Sequence, residues 1–176
     1  MISNRGLSLA QLNSVFPANA LAANTLHIGL FKGTKPQMKN LMAMSLTSGW
    51  NVLGITGLGL SQANFLGSIA IDNLTPSVNP SSRTISLPLA GSSRTLVGVA
   101  DGTPTYFVAR IVAAAGAAAV ASWANFMLTS SPGTLLAGPV LIGTVGAEGS
   151  DAELQFIGGT IKTSQAYRFL DLSFQV

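Results

Sequence analysis

Cysteine is absent from the 176 residues, and histidine occurs once, at position 27. Disulfides and thiolate metal sites are therefore excluded. A zinc site, which needs several His or Cys ligands, cannot be completed around His27. The absence of disulfides fits a reducing compartment, or a particle assembled in one. Charge is nearly as scarce: 9% of residues are charged, against roughly 25% in an ordinary soluble domain. Hydrophobic residues make up 48% and the mean hydropathy is +0.48. So few charges cannot cover the exterior of an isolated globule, and the expectation is a subunit whose surface is largely covered by neighbours.

The net charge of +3 comes from scattered residues rather than from a dense patch. Only Lys32, Lys35 and Lys39 cluster, and loosely. Nucleic-acid binding calls for a concentrated basic stripe, so no specific nucleic-acid partner is expected. Residues 111–128, IVAAAGAAAVASWANFML, reach the minimum length of a membrane span, but alanine is barely apolar and Gly116, Ser122 and Asn125 weaken the run. No membrane association is expected. Gln11, Asn13 and Ser14 interrupt the apolar region that a signal peptide would need, so residues 1–23 are expected to stay as an N-terminal arm or a short helix.

The remainder, residues 24–176, reads as a β-sandwich with an apolar insertion at about 37–79, within a single domain of 1–176. Residues 25–31 alternate, with Leu26, Ile28 and Leu30 on one face and His27, Gly29 and Phe31 on the other. Residues 37–48 place Met38, Leu41, Met42 and Leu46 at helical spacing. Residues 50–71 are apolar and broken by glycines, a composition that must pack against the core or a partner. Residues 73–82 read as a loop. Residues 83–89 alternate as an edge strand because of Pro88, and 94–99 form another short strand. Residues 105–112 form a strand with both faces at least partly covered. A hairpin at 113–118, with a second strand through 123–128, is preferred over a helix there.

The last third, residues 138–176, has the firmest pattern, with strands near 139–145, 152–157, 160–163 and 167–176. In the last of these Leu170, Leu172, Phe174 and Val176 form the expected buried face. The predicted fold is mainly all-β: an antiparallel β-sandwich or jelly-roll-like barrel.

Chemistry is hard to find. His27 reads as a satisfied strand histidine. Glu148, Asp151 and Glu153 lie around a Gly-Ser turn but lack the spacing of a calcium loop, so Ser150 and Asp151 are expected to bond to nearby backbone. Gly59-Leu60-Ser61-Gln62-Ala63 approaches a nucleophile elbow, but ends in alanine with no histidine after it. Neither an enzymatic activity nor a cofactor is expected.

Residues 26–36 (LHIGLFKGTKP), 105–112 (TYFVARIV), and 143–146 (GTVG) with 149–151 (GSD) and the terminal strands, resemble in style the small virion structural proteins of tailed bacteriophages. The resemblance implies a capsid decoration or cement protein, located in the virion after assembly in the host cytoplasm. Such a protein multimerises as a trimer or dimer and binds the major capsid protein or a neighbouring shell component. A neck or tail component is the alternative, as is a host-surface or glycan-binding module using Trp50, Trp123 and Tyr106 as stacking rings. Large apolar side chains on the less regular segments are the candidate interface residues: Trp50, Phe65 and Trp123, with Met42 and Met44.

Overall fold

The computed structural model describes residues 24–37, 58–72, 77–79, 81–82, 84–89, 95–113, 123–127 and 140–175. The alternating apolar segments fold as strands β1 (Asn24–Phe31), β2 (Phe65–Asp72), β3 (Ser77–Asn79), β4 (Thr84–Pro88), β5 (Leu96–Val97) and β6 (Tyr106–Ala113). A short helix, α1 (Trp123–Met127), precedes β7 (Val140–Ala147), β8 (Leu154–Phe156), β9 (Ala166–Tyr167) and β10 (Phe169–Gln175). Eight strands form one curled sheet, a half-barrel, in the order β2-β1-β6-β7-β8-β10-β4-β3. A ribbon of β5 and β9 accompanies it. The fold is the antiparallel-rich β architecture expected, and no helix among the described residues reaches seven residues.

The alternation decides which side chains line the curl. Leu26, Ile28 and Leu30 of β1 pack with Phe107 and Ala109 of β6, Leu154 and Phe156 of β8, Leu172 of β10, and Ile85 and Leu87 of β4. Strands from both halves of the strand order meet in one cluster, as curling of the sheet requires. Full burial of each such side chain is worth about 1.5–3 kcal/mol, so this inner face dominates the stability. Leu96 and Ile161 join the same cluster from the ribbon region, with Tyr167 packed against it.

The outer face of β1, β2 and β6 carries a second cluster: Phe31, Phe65, Tyr106 and Val108, with Leu58 and with Phe126 and Met127 of α1. The expectation that both faces of residues 105–112 are at least partly covered therefore holds at residues 106–109, which are buried, while Thr105 is exposed. The same is true of the two faces read from residues 25–31.

Several elements differ from the sequence reading. Residues 123–127 are helical, not a strand. Phe126 and Met127 are buried and Trp123 half-buried while Ala124 is exposed, so the apolar positions fall at i, i+3 and i+4, a helical rather than a two-residue period. β2 and β3 lie within the stretch read as an apolar insertion and loop, and both belong to the sheet. β4 is not the edge strand, because β3 pairs with it. That pairing stops at Ser86, so Pro88, opposite Asp171 of β10, lies beyond the reach of β3 and no β3 bond needs its missing N–H. Residues 160–163 make one bridge, Ile161 to Gly102, instead of a strand. An irregularity between Phe169 and Leu172 buries both of them and leaves Leu170 half-buried. The N-terminal arm or helix, the helical stripe at 37–48 and the turn of the proposed hairpin at 114–118 lie outside the described residues.

One pairing is unusual. β7 and β8 are parallel, with Val145 opposite Leu154, although only residues 148–153 connect them. Parallel neighbours usually need a crossover of about a dozen residues or more. Here a tight turn makes the return: Ser150 donates to the Ala147 carbonyl through both its N–H (3.1 Å) and its hydroxyl (2.7 Å). The Gln155 amide accepts from Gly149 N–H and donates to Ser150 O. Gly149, at φ +80°, supplies the left-handed residue that the turn requires.

Candidate functional site

Two places concentrate the side chains that a partner or a ligand could use: the aromatic cluster on the outer face, and one end of the sheet.

In the aromatic cluster Phe65 is 2% exposed. Its ring lies 5.5 Å from Phe31, 5.4 Å from Trp123 and 5.6 Å from Phe126. Phe65 thus anchors the chain's own outer-face core. Trp123, at the start of α1, is half-buried and meets Phe31 and Phe65 edge-on. Trp50, Met42 and Met44 lie outside the described residues. Tyr106 stacks on Phe31 at 5.1 Å and is 2% exposed; burial pushes its phenol pKa upward. A ring so enclosed offers no face to a sugar.

The helix reaches the sheet through a gap left by a glycine. A Cβ on Gly29 would lie 2.6–3.0 Å from three carbons of the Phe126 ring, so Phe126 occupies the volume that a side chain on β1 would fill. His27, two residues earlier on the same face, packs against that ring with centroids 5.2 Å apart.

His27 Nε2 and Ser68 Oγ lie 3.0 Å apart, the reach of a nucleophile–base pair. Both residues are nearly enclosed, at 3% and 4% exposed, so no substrate reaches the hydroxyl. The contact pairs His27 Nε2 with the Ser68 hydroxyl inside the fold.

The second place is the end of the sheet where β1 finishes and β6 begins. There Asp101 ties two loops together. One carboxylate oxygen accepts from the Thr163 N–H and hydroxyl, both at 2.8 Å, and the other meets Lys162 Nζ at 3.2 Å. The backbone bond from Thr163, followed by its hydroxyl and the Lys162 contacts, lowers the carboxyl pKa to about 2. Lys32 Nζ donates to the Asp101 carbonyl at 3.3 Å, and Tyr167 Oη accepts from Lys162 N–H at 2.7 Å. Nearby, Glu153 accepts from the N–H (2.7 Å) and the hydroxyl of Thr144. Partial burial opposes ionisation of Glu153, but these bonds and the charge of Lys35 outweigh it and lower the pKa.

That use of Glu153 bears on the carboxylates grouped by sequence. Its oxygen is held by Thr144, whereas Glu148 and Asp151 are exposed. Among the described residues no group of three or more His, Asp or Glu side chains is placed to hold a metal ion. Ser150 bonds to the Ala147 carbonyl, the nearby backbone contact expected of it. The Asp101–Thr163 clasp went unread because its partners are 62 residues apart; the Asp-Gly-Thr-Pro run at 101–104 signals only a turn.

Exposed large apolar side chains are few among the described residues: Val97, Val99 and Ile157. No helix among the described residues is long and apolar enough to cross a membrane. Comparison with family models, curated proteins and solved structures finds no match to this chain.

Proposed function

We propose that this chain is a non-enzymatic structural subunit of a tailed-phage particle, most concretely a capsid decoration protein that associates with copies of itself and binds the major capsid protein. The observation that carries the subunit reading is the distribution of charge over the sheet. Across the strands of the described residues the formal charges are Asp72, Arg110 and Asp171. A β-shell this poor in charge can be covered by neighbours while removing few charges from water, a step that otherwise opposes association. The phage assignment rests on the resemblance of residues 26–36, 105–112, and 143–146 with 149–151, to small virion proteins.

The aromatic contribution to the interface passes to Trp50, because Phe65 is used within the fold. The glycan-binding reading loses one of its three rings through the burial of Tyr106. The test is quantitative mass spectrometry of purified particles. A decoration protein is present at a copy number comparable to that of the major capsid protein, and Trp50→Ser lowers its incorporation. A handful of copies per particle would indicate a neck or tail part, and absence from particles would overturn the reading.

A further inference from the structure

We infer that the chain pairs with a second copy of itself through the outer face of the β5–β9 ribbon and the end of β8, about a two-fold axis that sets Arg168 of each copy against the Glu148 and Asp151 turn of the other. The pairing rests on the subunit reading above and names the surface that the copies share.

Alternation fixes the outer face, because the inner face of these strands is set by the core. Leu96 is buried in the core, and a Cβ on Gly98 would run into Ile161 and the Lys162 carbonyl, so Val97 and Val99 point the other way. Val97 pairs with Ala166 of β9. Tyr167 packs against the core and Phe169 is buried, which turns Ala166 and Arg168 outward, and both are exposed. Phe156 pairs with Phe169, both of them buried, so Ile157 and Arg168, their chain neighbours, come together on the outer face. Val97, Val99 and Ile157, at 42%, 41% and 61% exposed, are the exposed large apolar side chains among the described residues. All three lie on this one face.

The same face carries both signs of charge at separate places. Gly146 of β7 lies opposite Gln155 and beneath the β7–β8 turn, since a Cβ there would meet Ser150 and Ala152. The turn therefore folds over the outer side, held by the Gln155 amide, and exposes Glu148 and Asp151. Across the face the order is Val97, Ala166, Arg168, Ile157, Gln155 and then the acidic turn. Among the described residues the one ion pair joins Lys162 to Asp101, so Arg168, Glu148 and Asp151 have no charged partner there.

That order selects a second copy as the occupant. The basic residue stands on one side of Ile157 and the acidic turn on the other, so a half-turn about an axis near Ile157 lays each sign on its opposite. Ile157 then meets its own equivalent, and Arg168 reaches the acids of the other copy in both directions. Apolar side chains leave water while each exposed charge gains an opposite one, which fixes the register of the contact.

The experiment is sedimentation of the full chain over a range of concentrations, which first gives the oligomer and its dissociation constant. Ile157→Glu, at an exposed position, is expected to raise that constant at least about tenfold by bringing like charges together at the axis, with the far-ultraviolet circular dichroism unchanged. Arg168→Glu alone, or Glu148→Arg with Asp151→Arg, is expected to raise it too. Combining all three exchanges the signs and is expected to return the constant to within about threefold of the parent, a recovery that damage to the fold would not give. A dimer untouched by Ile157→Glu, a trimer, or sign changes that the combination does not rescue overturns the two-fold pairing. A parent chain that sediments only as a monomer overturns the subunit reading itself, and because the parent is measured before any substitution the two failures are distinguished.

Discussion

Replacing Gly29 by alanine tests how helix α1 is seated on the sheet. Taken alone, alanine in a strand interior is favoured over glycine, by roughly 0.5–1 kcal/mol. The structure predicts the opposite sign. The new methyl carbon would stand 2.6 and 2.7 Å from two carbons of the Phe126 ring, closer than non-bonded carbons come. Phe126 is fully buried, with the rings of His27, Phe31 and Phe65 at 5.2, 5.7 and 5.6 Å, so it has no empty direction in which to swing. Forcing an extra carbon into a filled core costs about 1–3 kcal/mol, which outweighs the gain from removing glycine. With a urea slope of about 2 kcal/mol per M, a cost of about 2 kcal/mol lowers the unfolding midpoint by about 1 M. Tryptophan fluorescence in urea, at fixed protein concentration, reads this shift. Phe126→Leu shortens the offending ring and destabilises by itself, but in that background Gly29→Ala is expected to cost little, giving a coupling of about 1–2 kcal/mol in the double-mutant cycle. If Gly29→Ala leaves the midpoint unchanged or raises it, or if the two changes are additive, the seating of α1 against Gly29 is wrong.

Asp101→Asn tests the loop clasp through pH. The folded carboxyl has its pKa lowered from 3.8 to about 2, so the unfolded chain takes up the proton first as pH falls; the stabilisation is complete above that ordinary value and is lost as pH drops from 3.8 through 2. Thermal unfolding between pH 5 and pH 2 is expected to show a shallower acid decline for Asp101→Asn than for the parent, and an identical decline refutes the clasp. Ser86 and Ser173 share a hydrogen bond of 2.6 Å between β4 and β10. Ser86→Ala is expected to cost about 0.5–1.5 kcal/mol, with most of it recovered when Ser173→Ala is added, as read by the same urea titration. Trp50→Ser is expected to lower particle incorporation while leaving the unfolding free energy within about 0.5 kcal/mol of the parent, the outcome for a ring that serves a partner and not the chain's own core.

Much of the sheet was legible in the sequence because its strands alternate cleanly. Leu26, Ile28 and Leu30 fall on one face of β1, and Phe107 and Ala109 on one face of β6, and each set lines the curl. Residues 123–127 were misread because Trp123, Phe126 and Met127 show only one helical repeat; the sheet beneath, opened by Gly29, seats the helix that lowers Phe126 into place. β2 was hidden in a glycine-broken apolar run for a related reason. Gly67 sits at the register shift where β1 passes from Gly67 to Phe65, and a Cβ there would lie 2.9 Å from the Val97 carbonyl. Its glycine records a close crossing by the chain near β5, not a break in the strand. The parallel pairing of β7 and β8 and the Asp101–Thr163 clasp depend on contacts made after the chain has folded back, and no local pattern encodes them. Of the candidate interface residues, sequence reasoning found the large apolar side chains but could not separate Phe65, which the fold consumes, from a ring left for a partner. That distinction depends on which strands lie beneath it.

Whether the subunit self-associates is read by sedimentation of the purified 176-residue chain in detergent-free buffer of moderate salt. The expected species has two or three times the 18.0 kDa chain mass and persists on dilution into the micromolar range. A chain that sediments at its monomer mass throughout, and remains soluble, would contradict it.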